Sequence, residues 1–154
     1  MMNVRLTYSR LPDLERMKRN WNKTLGLFDR GEYSVAIIRA VTAVELACNW
    51  VIREELVRGL KLPSGFVDRM MVWANGPHGK YDKLILPICE GTPRFRRFKA
   101  VRKHLDKIWK ERNSVVHQGQ FKGKATAEGI IQAAHKVIMA LIREYKPGFT
   151  LPVS

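Results

Sequence analysis

Residues 93–117, PRFRRFKAVRKHLDKIWKERNSVVH, decide how this chain folds. Phe95, Phe98, Val101, Leu105, Ile108, Trp109, Val115 and Val116 recur at helical spacing and make one apolar stripe. Thr92-Pro93 supplies the start, because proline at the first helical position gives up an N–H that has no intrahelical partner anyway. Gly119 follows the end. Arg112 stands four residues after Ile108 and three after Trp109, near the centre of the stripe. A guanidinium is costly to bury without a partner and is seldom fully buried unpaired. Arg112 therefore requires a receiver: a carboxylate, a second subunit, or a phosphate.

On either side of this segment the helical period continues. Leu14, Met17, Trp21, Leu25 and Phe28 predict a first helix from Asp13 to Arg30, stopped by Gly31. A second, the most apolar, covers Tyr33 to Leu60 and ends near Gly59. Pro63-Ser64-Gly65 reads as a connector with Ser64 as an N-cap. Phe66 to Trp73 reads as a short helix, Asn75 to Gly79 as a loop, and Tyr81 to Cys89 as a short helix broken at Pro87. A last helix is expected from Ala125 to Tyr145, followed by an extended tail over residues 146–154. No useful strand alternation and no fixed repeat appear, which argues against a sheet or a solenoid. The expectation is an all-α bundle in one domain, residues 1–154, with three long helices and several shorter ones.

The charge is unusual. The chain carries +14 at neutral pH in 154 residues. Between Arg94 and Arg112 nine cations face only Asp106 and Glu111, half of the whole excess. Such a one-sided helix favours phosphate backbones. Arg96, Arg97, Arg102, Lys103, Lys107 and Lys110 are the candidates for drawing RNA in. Cys48 and Cys89 lack metal-ligand spacing, and Cys48 falls in an apolar helical run, so a reduced cytoplasmic setting is expected. Met1 to Asn20 shows no apolar leader core, and charged or polar residues interrupt the richest apolar run, Val35 to Ile52, so no membrane partner is expected.

On the second helix Arg39, Thr42, Glu45, Asn49 and Arg53 align along one side. This is either an ordinary solvent face or a polar seam turned toward the Arg112 helix. In the second case Glu45 is the carboxylate for Arg112. His117 is the candidate acid–base group, because an unperturbed imidazole titrates near neutrality. It shares a helix face with Asn113. Arg112 and His117 are about 140° apart around an ideal helix, so one straight helix does not aim both at one atom. They meet where the helix unwinds, where long side chains bend inward, or where two subunits face each other. The bland alternative for His117 is a helix C-terminal histidine stabilised by the dipole. No zinc-type His/Cys spacing, Walker-type loop or serine elbow is present, so neither metal nor cofactor is expected.

With Arg112 and Asn113, four intervening residues and His117 near a helix end, the chain resembles the HEPN superfamily of small helical bundles. That family's motif is Arg, four to six residues, then His, often with a polar residue directly after the Arg. The resemblance implies a bundle of about four to six helices, a homodimer, and metal-independent RNA cleavage at the dimer interface by 2′-hydroxyl attack. In that scheme Arg112 stabilises the scissile phosphate, His117 acts as acid or base, Asn113 orients one of them, and Glu45 holds Arg112. It also implies a toxin or defence setting, with an antitoxin or inhibitor protein as partner. Arg97 and His104, with six residues between them, satisfy the same motif from mid-helix. The alternative is a HEPN-like module that binds RNA or a partner without cutting it.

Overall fold

The structure, a computed structural model, describes residues 12–153. The first eleven residues, which hold half of the leader reading, and residue 154 at the tip of the expected tail lie outside it. Its elements are α1 (Asp13–Asp29), α2 (Tyr33–Arg53), α3 (Ser64–Trp73), α4 (Gly76–Lys80), α5 (Leu86–Cys89), α6 (Pro93–Gln118) and α7 (Lys124–Arg143). A π-helical turn, Glu54–Gly59, extends α2, and another, Tyr81–Ile85, joins α4 to α5. The described residues thus form six continuous helical stretches and no strand, an all-α bundle.

The most apolar helix is the axis. Ala36, Ile37, Ala40, Val41, Val44, Ala47, Cys48, Val51 and Ile52 of α2 are all buried, and α1, α6 and α7 pack around it. From α7 come Ile130, Ala134, Val137, Ile138 and Leu141, and from α1 Leu14, Met17 and Trp21. By length and composition α2 with its π-helical extension, and α7, are long and apolar enough to cross a membrane. From the sequence the richest run, Val35 to Ile52, read as too interrupted for this. In the bundle their apolar faces are turned inward against each other.

Three local expectations are corrected. Ser64 is the first helical residue of α3 and not its N-cap, since Pro63 occupies the cap position and no side-chain cap bond forms. The stretch expected as a loop at Asn75 to Gly79 is helical from Gly76. Pro77 sits where a helix needs no N–H, and Gly76 takes φ +76°, so turn residues here start a helix. Pro87 does not break the following helix; it is the second residue of α5, directly after the π-helical turn, where an N–H has no partner within α5. The tail, expected as extended, begins with a turn at Pro147-Gly148, where Phe149 N–H returns to the Lys146 carbonyl at 3.0 Å, and it is packed. Phe149 and Leu151 are buried, and Trp21 Nε1 donates to the Pro152 carbonyl at 2.6 Å.

Helix α6 begins at Pro93, and Gly119 caps it in the left-handed region at φ 62°. Gln120 N–H then returns to the Ser114 carbonyl at 3.2 Å, which satisfies an end carbonyl. Phe98, Leu105 and Ile108 are buried, Trp109 and Arg112 half-buried, and Val116 exposed. The apolar stripe therefore leaves the core at its C-terminal end, where the candidate motif lies.

Much of the basic face is tied down internally. Arg102 reaches both oxygens of Asp82 at 2.7 Å and Asp106 at 2.8 Å. Its hydrogen bonds hold the Asp82 carboxyl below the ordinary carboxylate value, against the opposing effect of burial. A depressed carboxyl contributes stability above its unfolded value near 3.9 and loses it as pH falls through the folded value. Asp82→Asn is expected to cost below about 1 kcal/mol at pH 7, because Asp82 is half-exposed. The difference from wild type should shrink in urea titrations as the pH is lowered from 7 through the depressed folded value of Asp82.

Candidate functional site

The polar side of α2 does not simply face solvent. Thr42 and Glu45 turn toward α6 and share a hollow of about 340 Å³ with Trp109, Arg112 and His117. Ile38 and Val41 supply its apolar wall, and Asn75 and Gly76 close it from the start of α4. This volume falls within the roughly 300–1,000 Å³ common for small-molecule sites. Further along the same seam, Asn49 and Arg53 line a second hollow of about 530 Å³ with Asp68 and Lys80. The two hollows meet at Asn75.

Arg112 is half-buried along the wall, with its guanidinium carbon 5.2 Å from the Trp109 ring centroid. Nη1 donates to Asn113 Oδ1 at 3.3 Å. No carboxylate pairs with it among the described residues. Glu45, expected to hold Arg112, instead accepts from Lys80 Nζ at 2.8 Å. The reason is tertiary. Lys80 is only 5% exposed, and a buried ammonium needs a counter-ion more than a guanidinium resting on an indole face does. Glu45 is left with one oxygen engaged by Lys80 and its side chain 36% exposed into the hollow.

His117 lies exposed in the last turn of α6 and lines the same hollow as Arg112. The helix stays wound through Gln118, so unwinding is not what brings the two together. Both line the hollow near the end of α6, and no hydrogen bond joins them. Cys48, beneath Glu45, has its thiol pushed up to about 12, first by burial and then by the Glu45 charge, which keeps it an inert core thiol.

The competing pair, Arg97 and His104, is not assembled. Arg97 is bound by Glu144, with Nη2 2.7 Å from Oε2. His104 is disfavoured from protonation, chiefly by burial and then by Lys136, Lys103 and Lys107. Of the cations expected to draw in RNA, Arg96, Lys103, Lys107 and Lys110 are exposed and form no ion pair among the described residues. Arg97 and Arg102 have their guanidinium groups occupied by Glu144 and by Asp82 and Asp106.

Four site residues escaped the sequence reading. Asn75 and Gly76 lay in what resembled a connecting loop, and Trp109 was read only as core. Lys80 had no signal at all, because a lysine in a polar stretch reads as exposed. His78, placed on a loop, is in α4 with Nε2 2.9 Å from Asp106 Oδ1 and its ring 5.5 Å from Trp109. It buttresses the back of the Trp109 wall. The described residues contain no group of three His, Cys, Asp or Glu side chains able to hold a metal ion. Compared with family models, with curated proteins and with solved structures, the chain matches none.

Proposed function

We propose that the protein is a metal-independent endoribonuclease of the HEPN type, acting on RNA through its 2′-hydroxyl. One observation carries the reading. Arg112 offers a half-buried guanidinium with no carboxylate on it, in a hollow that also holds His117. A cation placed this way suits a phosphate, and on a pentacovalent transition state its donors act where charge develops. His117 is the proton-transfer group. Asn113 keeps Arg112 oriented through the bond between them. Lys103, Lys107 and Lys110 supply sequence-independent attraction for the RNA backbone. The reaction needs a second proton-transfer group, and in the dimer that the family resemblance implies this is the partner's His117. Val116 and Phe121, 44% and 96% exposed around His117, support an apolar contact there. RNA, a second copy and an inhibitory protein in the cytoplasm are the partners this reading carries.

A non-catalytic RNA-binding module is the second reading, favoured by the absence of any hydrogen bond orienting His117 in the described residues. The two are separated by incubating wild type and His117→Ala with mixed cellular RNA in EDTA and mapping the ends. The nuclease reading expects 2′,3′-cyclic phosphate ends from wild type and at least about a hundredfold less cleavage from the variant. Binding by both with cleavage by neither supports the module. In that case Lys103→Glu with Lys107→Glu is the damaging change.

A further inference from the structure

We propose that Glu45 is the general base of this site, so that one chain contains the whole acid–base set. This rests on the nuclease reading above. It departs from the arrangement in which two His117 side chains meet across a dimer axis.

The geometry that removed Glu45 from Arg112 is what frees it for this task. Its carboxylate is anchored from behind by Lys80, which is 5% exposed and donates at 2.8 Å. The rest of the carboxylate opens into the hollow shared with Arg112 and His117. Only Lys80 bonds to it among the described residues, so it retains acceptor capacity toward the hollow. The charged and titratable groups facing it are Lys80 from α4, Arg112 and His117 from α6, and Cys48 on its own helix. Glu45 comes from α2 and His117 from the end of α6, so they enter from different helices. In-line displacement requires base and acid on opposite sides of the phosphorus.

The step balances without water or metal. Glu45 takes the proton of the 2′-hydroxyl as that oxygen bonds to phosphorus. The bond from phosphorus to the 5′-oxygen breaks, and His117 gives its proton to the departing oxygen. The products are a 2′,3′-cyclic phosphate and a 5′-hydroxyl, with Glu45 protonated and His117 neutral. Exchange with solvent resets both. Arg112 stabilises the phosphorane oxygens throughout. Lys80 is a positioning residue, holding the carboxylate without touching the RNA.

The test compares wild type, Glu45→Gln and His117→Ala on a short RNA, each confirmed folded by its melting curve. Glu45→Gln should lose at least about a hundredfold in cleavage rate and lose the acid limb of the pH–rate profile, while RNA affinity stays within a few-fold. Glu45→Asp should retain part of the activity and keep that limb. Glu45→Gln and His117→Ala chains are then co-expressed. A single-chain site leaves the mixture inactive, because every site lacks one group. A site shared across a dimer restores about a quarter of the wild-type sites through mixed pairs. Recovery in the mixture, or Glu45→Gln cleaving within about threefold of wild type with an unchanged profile, overturns the proposal while leaving the nuclease reading intact. No cleavage by wild type overturns both. Should Glu45→Gln fail to fold with Lys80 left unpaired, Glu45→Gln with Lys80→Met takes its place under the same criteria.

Discussion

Arg112→Ala is expected to lower RNA cleavage about a thousandfold, with RNA affinity falling only a few-fold. In the proposed reading most of the affinity comes from the exposed lysines along α6, which the substitution leaves in place. The loss falls on the transition state because the donors of Arg112 are not consumed by a carboxylate in the resting protein. Arg112→Lys is expected to recover little. An ammonium keeps the charge but neither the planar fork nor the stacking on Trp109, 5.2 Å away. Single-turnover cleavage set beside filter binding separates the two effects. A large drop in binding with an unchanged rate constant would make Arg112 an RNA anchor and not a catalytic group. Folding should be little affected, since no buried ion pair is broken.

The second large effect is on stability. Trp21→Ala is expected to cost about 3–5 kcal/mol, a substantial part of the roughly 5–15 kcal/mol that holds a domain of this size. Trp21 is fully buried between α1 and α7, with its ring 5.9 Å from that of His135. Its Nε1 also fixes the tail through the Pro152 carbonyl at 2.6 Å. Removing it leaves a cavity and releases the strap that covers this end of the bundle. Trp21→Phe should cost less, because most of the apolar volume remains and one hydrogen bond of about 1 kcal/mol is lost. Equilibrium urea unfolding measures both. In the alanine variant, limited proteolysis should cut within residues 146–153 well before the helices. Equal protection of that segment in all three proteins would show that the tail is held by Phe149 and Leu151 instead.

The helices were legible because each has a repeating apolar face, and that face follows from residue order alone. Helix α6 is the clearest case: Pro93 and Gly119 bound it, and the stripe of Phe98, Leu105 and Ile108 is buried as its period requires. Where prolines and glycines clustered, the reading failed. At Gly76-Pro77 and at Pro87 they start or continue helices, because neighbouring packing decides whether a turn residue ends a helix or begins one.

The candidate site divides in the same way. Arg112, Asn113 and His117 are neighbours in one helix, and their spacing was visible in the sequence. The polar seam with Thr42 and Glu45 was visible too, but not the direction it faces. Lys80 decided the partner of Glu45, and nothing in a linear chain shows that this lysine is buried 35 residues away against α2. The sequence by itself determined the all-α class, the helix that carries the motif and the sign of its charge, since these depend on periodicity and composition. The tertiary structure alone decided which cations are spent on internal carboxylates, that Arg112 remains unpaired, and that Glu45 opens into its hollow. Charge pairing acts over a few ångströms in space, and only the packing of the helices brings those groups within reach.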